Sequence, residues 1–425
     1  MRSTKRLRSI GLTLLAISIL FVAACGNQGS GNQGSSGSGN QSGANQAGEN
    51  QRGGNQGSVS GEPIKIGASV ELTGSAAEGG QSILMAVEVA VDMINEQGGI
   101  NGRPVELVVR DTEGNPTRGV SIIRDFAQKE NALAVIGGYF STVMLAQSPI
   151  IKEEEIPFMI ATSNVPASVL NGMPWTFGVR MHAVVTARYT LDFLKRHFNT
   201  DKVAILYEDG GYGQGALEAM TQALEERGLK PVADESFNLN DKDMTAQVTR
   251  ARDAGAEAVY LMGIGASNGY VLTAMEKIGW KVPVVGEMGA SQPAVWEVAQ
   301  EAAEGVFVIQ TANFTSDQVR ETAKEFLDRY IQKHGRKPMM HAPTAQGFDG
   351  AMLLFNAVRN TELTGDKKKD RQAVLESLET NVGSYSGVIR DYDNPFSKDS
   401  HEAVELDSYV MNVWHDGELI RSDKQ

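Results

Sequence analysis

Ile64-Lys65-Ile66-Gly67-Ala68-Ser69-Val70 is followed by Glu71-Leu72-Thr73-Gly74-Ser75-Ala76-Ala77-Glu78-Gly79-Gly80, and then by an amphipathic run over 81–96 that stops at Gly98-Gly99. The first stretch is apolar enough for a buried strand, the second is a Gly-rich turn, and the third carries apolar residues at helical spacing. The same strand–loop–helix unit then recurs. Strands are expected at 64–70, 105–109, 133–136, 157–160, 203–207, 258–262, 282–285 and 305–309. Helices are expected at 81–96, 117–130, 182–197, 215–227, 244–254, 267–279 and 293–303. Alternation at this spacing predicts an α/β fold of parallel strands with right-handed crossovers, covered on both faces. In such sheets ligands sit outside the carboxyl ends of the strands, so the loops after the strands are the places to look for function.

Toward the N-terminus the chain changes character. Arg2, Lys5, Arg6 and Arg8 precede an uncharged, mostly apolar run over 9–21, and Val22-Ala23-Ala24-Cys25-Gly26 follows. A basic start, a short apolar run and small residues at a cleavage point make a secretory signal. The apolar stretch of about fifteen residues is shorter than the roughly 20 needed to cross a bilayer. Val-Ala-Ala-Cys resembles a bacterial lipobox, which implies that Cys25, the single cysteine of the chain, is lipidated and becomes the mature N-terminus. Residues 26–61 are built mainly from Gly, Asn, Gln and Ser and have almost no apolar surface to offset the entropy of folding. A coil of about 36 residues reaches roughly 30–35 Å. The expectation is a signal peptide over 1–24 and a lipidated tether over 25–61, with the folded part held at the extracytoplasmic face of the cell membrane.

The remaining stretch of about 360 residues exceeds a single typical core and predicts two domains. The formal charge of −13 becomes −17 once the four cations of the signal are removed. That balance argues against nucleic acid as a partner and for solubility outside the cell. Without a cysteine beyond Cys25 there is no disulfide framework and no thiolate metal site, and neither cofactor nor metal is expected.

The loops after the strands are rich in small donors. Gly137-Gly138-Tyr139-Phe140-Ser141-Thr142 follows the third strand and Ala161-Thr162-Ser163-Asn164 the fourth. In the second half, Glu208-Asp209-Gly210-Gly211-Tyr212-Gly213-Gln214-Gly215 follows the strand at 203–207. Hydroxyls and free amides at helix N-termini suit a carboxylate, because unpaired N–H groups and the helix dipole both favour an anion. The same residue types also cap helices for structural reasons alone, so the weight lies in their convergence at several strand ends.

Leu72-Thr73-Gly74, the helix ending Ile94-Asn95-Glu96-Gln97-Gly98-Gly99-Ile100-Asn101-Gly102-Arg103-Pro104, and Asp111 occur in order. Ala134-Val135-Ile136-Gly137-Gly138 with Ser141, Glu155-Ile156-Pro157-Phe158 and Tyr212-Gly213-Gln214-Gly215 continue the series. Together they resemble the branched-chain (Leu/Ile/Val-type) amino acid solute-binding proteins that serve ATP-driven ABC importers, over essentially all of 64–425. The resemblance implies the periplasmic-binding-protein type I architecture, two Rossmann-like, doubly wound parallel-sheet lobes joined by three hinge crossings with the ligand between them. Crossings are expected near 180–182, 310–313 and 387–390, giving one lobe over 63–181 and 312–388 and another over 182–311 and 389–425. It also implies a monomer that closes on a small ligand by hinge motion, its closed shape being read by a permease and ATPase complex.

In that family the first lobe holds the ligand's carboxylate through residues that correspond to Ser141, Thr142, Thr162, Ser163 and Asn164. Tyr212 matches a tyrosine that closes over the ligand. Two positions depart from the pattern. The second-lobe aromatic expected in Gly263-Ile264-Gly265 is Ile264. The acid expected in Gly286-Glu287-Met288-Gly289, the partner of the ligand's α-ammonium, falls on Met288 in an ungapped alignment, with Glu287 one position away. A buried carboxylate is the natural partner of an ammonium, so Glu287 is the candidate, and were it to point away the ligand would lack an amine. Gly79 stands where an aromatic wall is expected, which predicts a roomier pocket with Phe140 and Tyr139 as replacement walls.

Gly265-Ala266-Ser267-Asn268-Gly269 fits the nucleophile-elbow pattern and makes a serine hydrolase the main competing class. A turn with Ser267 as N-cap serves any doubly wound lobe equally well, and His334, His341, His401 and His415 carry no local triad signature. Residues 391–402 place acids at positions 1, 3, 9 and 12 of a calcium loop but put Phe396 where the sharp turn needs Gly, so a hairpin is expected. The expectation is capture without chemistry. The chain reads as a lipid-anchored receptor for a small amphipathic ligand, a hydrophobic amino acid first and a non-amine acid or amide second, with sensing as the alternative to import.

Overall fold

The computed structural model describes residues 61–165, 173–315 and 319–423. The signal, the lipidation site Cys25 and the tether up to residue 60 lie outside them. β1 (Ile64–Val70), α1 (Ala77–Glu96), β2 (Val105–Asp111), α2 (Pro116–Gln128), β3 (Ala134–Gly137), α3 (Ser141–Glu153), β4 (Phe158–Ile160) and β5 (Thr176–Gly178) come first. Their sheet runs β2-β1-β3-β4-β5, all parallel. Next come α4 (Ala183–Phe198), β6 (Val203–Glu208), α5 (Gly211–Glu225), β7 (Ala233–Phe237), α6 (Thr245–Asp253), β8 (Ala258–Met262), α7 (Ala266–Lys277), β9 (Val284–Gly286), α8 (Pro293–Ala299) and β10 (Phe307–Gln310). α9 (Glu321–His334), α10 (His341–Arg359) and α11 (Lys367–Thr380) follow, with α9 and α10 packed on α1. The hairpin β11 (Ser384–Ser386) and β12 (Asp391–Asp393) precedes β13 (Val410–His415) and β14 (Glu418–Arg421). The second sheet runs β14-β13-β10-β9-β8-β6-β7, parallel from β10 to β7 and antiparallel at β13 and β14.

The parallel part of each sheet therefore has the order 2-1-3-4-5, a doubly wound α/β layout whose switch point lies between its first and third strands. The expected fold class is the one observed. Helices cover both faces, as strand burial requires. From β1, Ser69 faces α3, where Gln147 donates to its hydroxyl at 2.8 Å. Ala68 pairs in register with Ile136, whose side chain lies toward α10 at Gly350 on the opposite face.

The helix ending at 94–104 has a local physical reason for its sequence. The Asn95 amide donates to Val105 O at 2.9 Å and accepts from Val105 N–H at 2.8 Å, fastening the end of α1 to the start of β2. The chain turns between them through Ile100 and Arg103, which exchange backbone bonds of 2.8 and 3.0 Å. Gly99 sits at φ +75°, and a Cβ there would stand 2.1 Å from Arg103 O, so only glycine fits.

Several elements differ from the sequence expectation. α1 and α5 each begin four residues early, at Ala77 and Gly211, because packing overrides the low helix propensity of their glycines. α3 forms although Pro149 interrupts its pattern, and the β13–β14 hairpin turns at Asp416-Gly417. The chain passes from the first sheet to the second over 179–182 and leaves the second after Gln310. Residues 387–390, expected as the third crossing, are instead the turn of the β11–β12 hairpin. Gly178 and Glu402 form a bridge and Ala403 N–H donates to Gly178 O at 2.9 Å, so the chain stays against the first sheet beyond Glu402 before it reaches β13. Backbone pairing with β5, which the composition of 401–403 does not advertise, moves that passage later.

Candidate functional site

The carboxyl ends of β3 and β4 in the first sheet meet those of β6, β8 and β9 in the second around one small cavity. It is lined by Tyr139, Thr162, Asn164, Tyr212, Ile264, Met288 and Gly289. Its volume is about 20 Å³, room for about one water and far below the ~300–1,000 Å³ of ordinary ligand pockets. Direct contacts hold the halves together. Gly211 N–H, at the start of α5, donates to Thr142 Oγ1 at 3.0 Å, and Gln292 Nε2 donates to the Tyr139 hydroxyl at 3.0 Å. Entry of any ligand requires these contacts to part.

On the first-lobe side the groups are neutral donors. α3 starts at Ser141 behind Phe140, whose side chain cannot cap it; the Val143 and Met144 N–H groups bond Phe140 O at 3.1 Å, and the positive end of the helix dipole remains on offer. Ser141 Oγ accepts from Asn164 N–H at 3.0 Å and joins the loops after β3 and β4. Thr162 Oγ1 donates to Gln346 Oε1 at 3.2 Å. Among the described residues, Ser163 Oγ and Gln292 Oε1 are buried without a hydrogen-bond partner, a condition that costs about 1–3 kcal/mol per group. Hydroxyls and N–H groups of this kind suit a carboxylate.

Tyr139 supplies the wall that Gly79 appeared to leave open. A Cβ on Gly79 would stand 2.2 Å from the Tyr139 ring, so the ring occupies the space a larger residue at 79 would take. Glu71 fixes the loop from beneath, accepting from Tyr139 N–H at 3.4 Å and from the Thr112 hydroxyl at 3.2 Å. Burial pushes Glu71 up to about 7, its hydrogen bonds opposing. Burial likewise pushes the Tyr139 phenol far above its ordinary value, so it stays neutral.

The second lobe brings an acid. Glu287 follows β9, is 1% exposed, and accepts from the Tyr260 hydroxyl and the Asn164 side chain. Burial raises it to about 7, the two hydrogen bonds opposing. Tyr260 rises from β8 beneath the site, and Asn164 belongs to the first lobe, so the Asn164–Glu287 contact joins the two. Met288 lines the cavity beside it.

Of the residues singled out in the sequence, Thr162, Asn164, Tyr212 and Ile264 line the cavity. Ser141, Thr142, Ser163 and Glu287 stand directly behind or beside that lining. Phe140 is not in the lining: its ring lies 3.5 Å from where a Gly114 Cβ would be, toward the approach to α2, and Tyr139 takes the wall position. Tyr260 and Gln292 were not singled out, and Met288 and Gly289 entered only as neighbours of Glu287 in the alignment, not as lining. Tyr260 carries a signal, since a strand tyrosine buried to 0% needs a partner for its hydroxyl.

Ser267 is 1% exposed, and its Oγ accepts from Ile264 N–H at 3.1 Å and donates to Ile264 O at 3.0 Å. It closes the turn into α7. His334 bonds Met85 O, His401 bonds Thr176 O and His415 bonds Glu304, so each is engaged away from Ser267.

A family model described as periplasmic binding protein matches residues 63–418. The chain belongs to that family. Leu/Ile/Val-binding protein homolog 3 of Brucella melitensis is 28% identical over 360 residues, 84% of this chain and 93% of that one. The substrate-binding protein LivJ of Streptococcus pneumoniae, solved with isoleucine, has a TM-score of 0.72 at 22% identity and covers 84% of this chain and 97% of its own. A solute-binding protein of Rhodopseudomonas palustris, solved with 4-hydroxybenzoate, has a TM-score of 0.71 at 19% identity, covering 85% and 95%. These relatives are binding proteins for small solutes, and the structural matches share the fold described above.

Proposed function

We propose that this periplasmic binding protein is a lipid-tethered receptor that captures a hydrophobic α-amino acid and delivers it to an ABC permease and its ATPase. The carrying observation is Glu287, a carboxylate buried beside a cavity whose opposite wall, Tyr139, Thr162 and Asn164, is lined by neutral groups. The ligand's carboxylate meets Ser141, Thr142, Thr162, Ser163 and Asn164, its ammonium meets Glu287, and its side chain meets Ile264, Met288, Tyr139 and Tyr212. Membership in the family and the Brucella relative support solute capture. The basic signal, Cys25 and the tether support anchoring, which raises the receptor's concentration at the permease.

Calorimetry on the purified protein tests the ligand class. Leucine-like amino acids are expected to bind at about micromolar Kd, about −8 kcal/mol. Glu287→Gln is expected to weaken them by about 2–5 kcal/mol, the cost of truncating one partner of a buried charged pair. Equal binding of 4-methylpentanoate, which lacks the amine, overturns the amino-acid reading. One observation favours the second class, acids without an amine: Glu287 already accepts from Tyr260 and Asn164, and Met288 rather than Glu287 lines the cavity.

A further inference from the structure

Arg180 lies in the passage from β5 to α4 and is 2% exposed. One edge of its guanidinium grips Glu402, with Nη2 and Nε at 2.6 and 3.1 Å from Oε1. Nη1 turns the other way, toward the loop after β4, and donates to Val165 O at 3.2 Å, Ser163 O at 3.4 Å and Asn164 Oδ1 at 3.4 Å. Glu402 belongs to the segment bridged to Gly178, just ahead of the last passage between the sheets. A single buried cation therefore spans two strands of the hinge and the rim of the cavity.

A guanidinium has donors and no acceptor, so the Asn164 atom that faces it must be the oxygen. The amide nitrogen is then turned to the other end, where the Asn164 side chain bonds Glu287. The opposite amide orientation would set NH2 against a cation and C=O against a carboxylate, wrong at both ends. With Asn164 N–H tied to Ser141 Oγ, Arg180 is the group that decides which end of the amide faces the acid. We propose that Arg180 is a positioning residue that sets the preference for an amine-bearing ligand, by fixing the Asn164 amide as a donor toward Glu287 and linking that orientation to the hinge through Glu402. This inference rests on the amino-acid reading above.

The test is the ratio of affinities for leucine and 4-methylpentanoate, measured by calorimetry in wild type, Arg180→Lys and Arg180→Met. Lysine keeps a charge for Glu402, but its compact ammonium cannot hold that acid and the 163–165 loop together. The expected result is a leucine preference about tenfold smaller in both variants, the loss of about one hydrogen bond to a charged group. Thermal unfolding of the lysine variant should stay near wild type. On an Asn164→Ala background, Arg180→Lys should leave the ratio unchanged, since the group it positions is gone. Should Arg180→Met fold poorly because Glu402 is left unpaired, the Arg180→Met, Glu402→Gln pair is measured in its place. Equal loss of both ligands, or an unchanged ratio in the folded variants, overturns the positioning role and leaves a hinge brace. A wild type without any leucine preference instead overturns the amino-acid reading, and the inference with it.

Discussion

The binding of an ammonium-bearing ligand to Glu287 should carry a pH dependence of calculable size. Burial holds this acid at about 7 in the closed structure, so only its ionised fraction is competent for a cation. The apparent Kd is the intrinsic Kd divided by that fraction. That fraction is about one-tenth at pH 6 and about three-quarters at pH 7.5, so affinity for leucine should rise between them by up to roughly eightfold, the full change holding where the ligand-free protein is closed and less where it is open and the acid already ionised. Both values lie below the range in which an α-amino group loses its proton. Tyr212, Tyr260 and Tyr409 face Glu287, and burial pushes all of them up, so they stay neutral throughout. Glu71 also sits at about 7, but its partners are Thr112 and the Tyr139 N–H rather than the acid's ligand side. Calorimetry across this window in wild type and Glu287→Gln separates the two: the variant should bind more weakly and show a flat profile. A rise of the same size in the variant, or in 4-methylpentanoate binding to wild type, refutes the assignment of the titration to Glu287.

Two substitutions test the architecture around the site. Gly79→Val should displace the Tyr139 ring, whose atoms lie 2.2–2.4 Å from even a first side-chain carbon at 79, and destabilise the protein by about 1–3 kcal/mol in chemical unfolding, the usual cost of overpacking. Ser267→Ala should cost about 1 kcal/mol for the lost turn bonds to Ile264, read by thermal unfolding; ester hydrolysis abolished by this change would revive the hydrolase class.

Much of the fold was legible because it is written locally. Strand–helix alternation needs only short windows, and the Asn95 to Pro104 turn is a nearby exchange of hydrogen bonds. The lining residues Thr162, Asn164, Tyr212 and Ile264 were legible through resemblance and their positions after strands. What was missed depends on approach between distant segments. Nothing in Gly286-Glu287-Met288 says which side chain faces the cavity, because the answer lies with Tyr260 on the preceding strand, 27 positions upstream, and Asn164 in the other lobe. Tyr139 and Phe140 are adjacent loop residues without periodicity to choose between them, and Gly79 decides the choice from 60 positions upstream. The β13–β14 hairpin was a different kind of miss, since Asp416-Gly417 between alternating runs is a sequence signal for that turn.

The placement of Glu287 also bears on how the lobes close. Its cover includes Asn164 from the opposite lobe, so in the proposed mechanism opening returns the acid to water and toward the ordinary value of 4.5, and closure raises it to about 7. For an acid raised by closure the sign is fixed: the closed form binds the extra proton between these values, so closure without a ligand is favoured as pH falls and disfavoured as it rises. Across the window of about 2.5 units the change amounts to about 3 kcal/mol. An ammonium removes the penalty by pairing with the carboxylate, so at neutral pH and above closure becomes conditional on a ligand of the right charge. Small-angle scattering of the ligand-free protein should therefore show a smaller mean radius at pH 5 than at pH 8, with leucine restoring compactness at the higher pH. In Glu287→Gln the radius should be insensitive to pH over the same range. A ligand-free protein equally compact at both pH values, or a Glu287→Gln variant that still expands, would show that the acid does not gate closure.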